Sequence, residues 1–155
     1  MSANVVIDLS KRLIQAGVAY PNEIKGCSRA QIDEVRSVAK QKLPQIYEMF
    51  LSTMGCGAGR FFEGTDIFYP DILANRETAE ELLKEDESSF SLSETDFVFA
   101  CHQGYQFMYI PLSELEPDPP VFYYMEGMGY PMKKWDHFSD FLLKAVEDHE
   151  RLPPL

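Results

Sequence analysis

Leu43-Pro44-Gln45-Ile46-Tyr47-Glu48-Met49-Phe50-Leu51 leads through Ser52-Thr53-Met54 into Gly55-Cys56-Gly57-Ala58-Gly59. The proline breaks the preceding pattern and suits the first position of a new helix, where its missing N–H would have no partner anyway. Ile46, Tyr47, Phe50, Leu51 and Met54 then recur at helical spacing and make a buried face. Three glycines in five residues end that helix and permit a tight reversal, because glycine reaches backbone angles closed to other residues. Beyond them the apolar period shortens toward that of strands. The stretch divides the chain into helices before it and a meander after it.

On the N-terminal side, Asn4 caps a first helix carrying Val6, Leu9, Leu13 and Ala16 on one face, with Gly17 at its end. Tyr20-Pro21-Asn22 reads as a connector. Ser28 with Gln31 forms a capping box for a second helix, with Ile32, Val35 and Ala39 as its stripe. After the glycines, Phe61, Phe62, Ile67, Phe68 and Tyr69 read as short strand material with turns at Gly64 and Pro70. Asn75 opens a short acidic helix whose inner face is Ala79, Leu82 and Leu83, and Ser88 to Ser93 form a polar loop. Phe97 to Cys101 and Tyr105 to Ile110 predict strands around a His102-Gln103-Gly104 turn. Val121 to Met125 and Tyr130 to Trp135 predict two more around Gly127-Met128-Gly129. Asp136 caps a last helix bearing Phe138, Phe141, Leu142, Ala145 and Val146. The expected fold is one α+β domain over residues 1–155, with N-terminal helices, an antiparallel β meander and a closing C-terminal helix.

The chain of 155 residues holds 14 basic and 25 acidic side chains, a net charge of -11, and is 45% apolar with 11 Phe, 8 Tyr and 1 Trp. That size and apolar content fit one domain with a sizeable core and exclude a disordered acidic tail. No run of about 18 apolar residues occurs, and Met1 to Asp8 lacks a basic region followed by an apolar core. Neither a membrane span nor a secretory signal is expected. Cys27, Cys56 and Cys101 are too few and too scattered for a disulfide scaffold, so free thiols in a reducing cytoplasm are expected. The charge is uneven: residues 1–60 balance to +3, residues 61–126 to -13 and residues 127–155 to -1. An acidic middle segment repels a phosphate backbone, which argues against direct nucleic-acid binding.

The glycine run follows a helix and lacks the lysine of a phosphate loop, so it reads as a helix-ending turn. Cys101-His102 is the single Cys–His adjacency, with no further metal ligand at a suitable spacing, and reads as a core cysteine beside a turn histidine. A catalytic carboxylate pair cannot be picked from 25 acids. No catalytic residue, metal ligand or cofactor is expected. Glu77, Glu80, Glu81, Glu85, Asp86 and Glu87 lie together with only Arg76 and Lys84 nearby. They form either a solvated helix face or a docking surface for a basic protein, since complementary charge speeds encounter and rejects wrong partners. These six acids and Tyr69 are the candidate partner-binding residues. Tyr105, Tyr123, Tyr124 and Tyr130 fall in the same region of the chain.

Residues 43–51 with their glycine stop resemble the SUKH superfamily, in its Smi/Knr branch. Its members open with a helix and continue with a Leu-Pro-x-x-Tyr-x-x-Phe-Leu helix, a glycine turn, a strand meander and a closing Ser/Phe-x-x-Phe-Leu helix. That last element is here Trp135-Asp136-His137-Phe138-Ser139-Asp140-Phe141-Leu142. Gly104-Tyr105-Gln106-Phe107 and Pro120-Val121-Phe122-Tyr123 come in the matching order. The resemblance covers about residues 28–149, and the helix at about 4–16 is additional. Many members carry Asn-Gly-Gly where this chain has Met54-Gly55-Cys56-Gly57. The resemblance implies a non-enzymatic binding module. Bacterial members are immunity proteins that neutralise toxins, often nucleases, and fungal relatives regulate cell wall and signalling through protein contacts. The expected function is that of an immunity protein binding a basic partner, such as a toxin, through an acidic surface; a regulatory or scaffold protein is the alternative, and a small hydrolase a distant third.

Overall fold

In the computed structural model, which describes residues 5–152, helix α1 (Val5–Gln15) turns Val6, Leu9 and Leu13 into the interior. Asn4, the expected cap, lies outside the described residues. The helix ends as its glycine predicts. Gly17 adopts φ 75°, its N–H donates to Ile14 O at 3.1 Å, and the Val18 N–H donates to Leu13 O at 2.9 Å. This pair of bonds satisfies carbonyls that the last turn leaves open, and the buried Val18 side chain returns the chain to the core.

A 3-10 turn over Pro21–Glu23 leads into strand β1 (Ile24–Lys25) and then helix α2 (Arg29–Ala39). Ser28 Oγ accepts from the Gln31 N–H at 3.2 Å while Gln31 Oε1 accepts from the Ser28 N–H at 2.8 Å, the expected capping box. Helix α3 (Gln45–Met54) starts one residue later than expected, with Pro44 as its cap. All five apolar residues assigned to its inner face are buried. The glycine run then forms strand β2 (Gly57–Ala58), paired antiparallel with β1 in the register Ile24↔Ala58 and Lys25↔Gly57. This ribbon was not expected, since two residues carry no periodicity. Gly59 follows at φ 62°, and a Cβ there would stand 2.6 Å from Val18 O.

The expected strand material at 61–69 shrinks to strand β3 (Thr65–Asp66). Phe61 and Phe62 sit in a turn instead, Phe62 at φ 56°. Their rings pack on the C-terminal helix, Phe62 stacking on Phe141 at 5.5 Å and Phe61 meeting His149 edge-on at 5.1 Å. Burial of these rings is satisfied without strand pairing, so β propensity did not decide the backbone.

After a 3-10 turn at Asp71–Ala74 come helix α4 (Asn75–Glu85) and strands β4 (Asp96–His102), β5 (Gln106–Pro111), β6 (Val121–Met125) and β7 (Met132–Trp135). Tyr105 and Tyr130, expected in strands, lie in the turns before β5 and β7. The sheet is antiparallel throughout, in the order β3-β4-β5-β6-β7. Helix α5 (Phe138–Glu150) closes the chain. Asp136 does not cap it. It pairs with Lys133 at 3.0 Å, and His137 holds the cap position. The free N–H of Ser139 donates instead to Asp118 Oδ1 at 2.9 Å, and Ser139 Oγ donates to Asp118 Oδ2. A carboxylate from the loop before β6 thus replaces the local cap.

Both faces of the sheet are covered. On one, Phe97, Phe99, Ala100, Met108, Ile110, Val121 and Tyr123 share a core with α3 and α5, against which α1 packs; on the other, Val98, Cys101, Phe107, Tyr109 and Tyr124 meet α4. Val98 pairs with Tyr109 and Ala100 with Met108, leaving Phe99 as one extra residue in β4. That bulge puts Phe99 and Ala100 on the same face, where simple alternation would separate them.

Tyr47 stands at the centre of the first core. Its ring lies 5.3 Å from Phe97, 5.6 Å from Phe138, 6.0 Å from Phe50 and 6.3 Å from Phe99. Its hydroxyl is buried and finds no hydrogen-bond partner among the described residues. Burial also pushes this phenol well above the ordinary tyrosine range. Tyr47→Phe is expected to raise unfolding stability by about 1 kcal/mol, because it removes an unpaired buried donor, whereas Tyr47→Ala loses about 3–5 kcal/mol to a cavity. Urea denaturation of both variants checks this, and a loss on Tyr47→Phe would contradict the orphan hydroxyl.

His137 Nδ1 lies 2.9 Å from Asp118 O, and this bond, helped by the nearby Asp118 and Asp140 charges, raises its pKa above 6.5. A raised folded-state value means that the stabilisation is complete below the unfolded pKa and is lost as pH climbs through the folded one. An NMR titration of His137 should give a midpoint above 6.5. A midpoint at or below that value would contradict the contact.

Candidate partner-binding surface

Helix α4 owes its place to one side and its charge to the other. Ala79, Leu82 and Leu83 are buried against Val98, Cys101, Phe107 and Tyr124 of the sheet. Asn75, itself buried, does not cap the helix but donates from Nδ2 to Asp66 O at 2.8 Å, tying the first turn to β3. Glu77, Glu81 and Glu85 follow one another at four-residue spacing and are exposed, with Glu80 beside them. Glu87, in the left-handed region at φ 52°, is exposed just past the helix.

The two remaining candidates lie elsewhere. Asp86 is half-buried. It accepts from the Tyr124 hydroxyl and, at 3.0 Å, from the Gly127 N–H. Burial and this carboxylate both push the Tyr124 phenol up. Tyr69 turns toward α2, donating to Glu34 Oε1 at 2.6 Å, and that bond is the main cause of its raised pKa. The structure therefore gathers Glu77, Glu80, Glu81 and Glu85 on one helix face with Glu87 just beyond. Asp86 is committed internally and Tyr69 to a different helix.

Of the two cations in residues 61–126, Arg76 is engaged inward. Its Nη1 donates to Ser93 O at 3.0 Å and Asp96 O at 2.9 Å, and its contact with Glu80 is long, at 3.8 Å. Lys84 is exposed among the acids.

The neighbouring loop supplies something the sequence did not flag. Phe90, counted above as part of a polar loop, stacks on Tyr109 at 6.1 Å and meets Tyr130 edge-on at 5.8 Å. Ser88 Oγ donates to Gly129 O at 2.7 Å, fixing this loop against the β6–β7 turn. Tyr130 stays 60% exposed and Met132 53% exposed. Glu80, Leu83, Lys84, Ser88, Phe90 and Leu92 line a shallow recess of about 240 Å³ between α4 and the loop. A single phenylalanine among serines was the available signal.

The other motifs are structural. Cys101 is buried, its Sγ is 3.4 Å from Asn75 O, and burial pushes its thiol up to about 12. His102 Nδ1 lies 2.8 Å from Thr65 Oγ1. Neighbouring strand residues face opposite ways, so Cys101 and His102 do not form a nucleophile–base pair. Among the described residues no group of three or more His, Cys, Asp and Glu is placed to hold a metal ion, and no helix is long and apolar enough to cross a membrane.

The class that this arrangement defines is an α+β scaffold with a sheet covered on both faces and a charged helix displayed on one side. More particularly, the chain belongs to the SMI1 / KNR4 family (SUKH-1), whose profile matches residues 26–144. The fold is similar to that of a solved structure, an uncharacterized protein from Salmonella enterica subsp. enterica serovar typhimurium str. 14028s. That comparison has a TM-score of 0.55 at 14% identity, covering 99% of this chain and 84% of the other. No curated protein matches the sequence. Family membership supports a protein-binding module of immunity or regulator type.

Asp86 separates from its neighbours by experiment. Asp86→Ala is expected to cost about 2 kcal/mol, since it leaves the Tyr124 hydroxyl and the Gly127 N–H without their acceptor. Glu80→Ala and Glu81→Ala should stay within about 0.5 kcal/mol, as exposed substitutions do. Urea midpoints distinguish the two outcomes.

Proposed function

We propose that the protein is an immunity-type binding module of the cytoplasm that neutralises a bacterial toxin, such as a nuclease, by occupying a basic surface of it. The whole chain acts as one domain, with no catalytic residue or cofactor of its own. The observation that carries this reading is the α4 face, where Glu77, Glu80, Glu81 and Glu85 are all exposed while Arg76 is drawn inward. A nuclease binds phosphate through Lys and Arg, so its substrate cleft is a complementary target. The recess beside Glu80 suits the aliphatic stem of a lysine or arginine, with the charged tip reaching the acids. Phe90 and Tyr130 border the same side and supply the aromatic area that interfaces favour. Asp86 contributes by holding the scaffold, and Tyr69 lies outside this surface.

The test is co-expression with the toxin encoded beside the gene, followed by kinetics. The protein should restore growth and form a stable complex. Reversing Glu80, Glu81 and Glu85 to lysine should lower the association rate at least tenfold at low salt and flatten its salt dependence, with the fold intact by circular dichroism. Unchanged kinetics would remove the surface assignment. Failure of the unaltered protein to bind or protect would favour the regulator-type reading that the same family allows.

A further inference from the structure

Two of the three cysteines, distant in sequence, meet in space. Cys27 lies between β1 and α2, and Cys56 between α3 and β2. Their Sγ atoms are 3.5 Å apart, and both residues are partly exposed. The backbones on either side are fixed by the fold: the Cys27 N–H donates to Leu51 O and the Cys56 N–H to Lys25 O, each at 2.8 Å. Gly55 completes the site. A Cβ on it would come within 2.6 Å of Cys27 Sγ, so the thiol packs directly over a bare α-carbon. Gln31 Oε1, already held by the Ser28 N–H, lies 3.4 Å from Cys56 Sγ. Cys101 is buried on the far side of the sheet, against α4.

We propose that Cys27 and Cys56 form a reversible redox modification site, which a peroxide converts to an intrachain disulfide. The remaining displacement is small, since the sulfurs stand 3.5 Å apart and bonded sulfurs about 2.05 Å. Hydrogen peroxide oxidises the Cys56 thiolate to a sulfenic acid, its O–O bond breaking and hydroxide leaving. The Cys27 sulfur then attacks the sulfenyl sulfur, the S–S bond forms, the S–O bond breaks, and water departs with the Cys27 proton. In sum two thiols lose two electrons and two protons to one peroxide, giving a disulfide and two waters. Cys27 is the resolving partner: its sulfur packs over the bare α-carbon of Gly55, and burial together with the contact to Cys56 holds its thiol above the ordinary cysteine range. The bridge closes a loop that contains the whole of α2 and α3, including the capping box and the Tyr47 helix.

The experiment treats the full-length reduced protein with a few equivalents of hydrogen peroxide and then blocks remaining thiols with iodoacetamide under denaturing conditions. The expected result is a mass loss of about 2 Da from bridge formation, one alkylated cysteine (Cys101), and a peptide joining Cys27 to Cys56. The melting temperature should rise by about 5–10 °C, reversed by dithiothreitol. Cys101→Ser should retain the bridge, and Cys56→Ser should abolish it while remaining folded. Over-oxidation of Cys56 with Cys27 still free, a bridge to Cys101, an interchain dimer, or no mass change would each overturn the proposal.

Discussion

The Tyr47 ring is where two helices and the sheet meet. It sits on α3, touches Phe97 and Phe99 of β4, and faces Phe138 at the start of α5, with Phe50 stacked one turn along. Edge-to-face contacts at these separations add to simple burial, so the cluster fixes orientation as well as proximity. The consequences run outward. Phe138 and Phe141 at the start of α5 set that helix across the sheet, and α5 in turn meets α1, where Arg12 and Glu150 form a bidentate ion pair. The unpaired Tyr47 hydroxyl is the cost of filling this centre with a tyrosine.

The helical half was legible because its signals are local. Ser28 and Gln31 form their box within four residues, Gly17 ends α1 within one turn, and the α3 face repeats over three turns. The order of the four longer strands was also legible, since each is an apolar run bounded by turn residues. What escaped depends on distant partners. β1 and β2 exist because each supplies the other's hydrogen bonds. Phe61 and Phe62 look like strand residues but are claimed by α5. Asp136 has the right residue type for a cap, yet its carboxylate pairs with Lys133, His137 holds the cap position and the remote Asp118 carboxylate accepts the helix N–H.

The same division applies to the charged segment. Sequence located the acids but treated all six as equivalent, because nothing local distinguishes Asp86 from Glu85. Only the approach of β6 and its turn makes Asp86 an acceptor for Tyr124 and Gly127. Arg76 is the mirror case. A count along the chain enters it as one positive charge among the acids, whereas its guanidinium is bound to the carbonyls that shape the loop before β4. Phe90 was missed for a related reason, as a lone apolar residue in a serine-rich loop has no period to reveal that it stacks on the sheet.

Helix α4 packs on its own small cluster, separate from the one centred on Tyr47. Its outward residues therefore carry no part of the packing that closes α1, α3 and α5 over the sheet. Substitutions at positions 77, 80, 81 and 85 can accumulate without reopening that core. The scaffold thus separates what must stay constant for folding from what is free to diversify. A change of protein partner asks for new residues on the outer face of one helix and leaves the rest of the protein as it is.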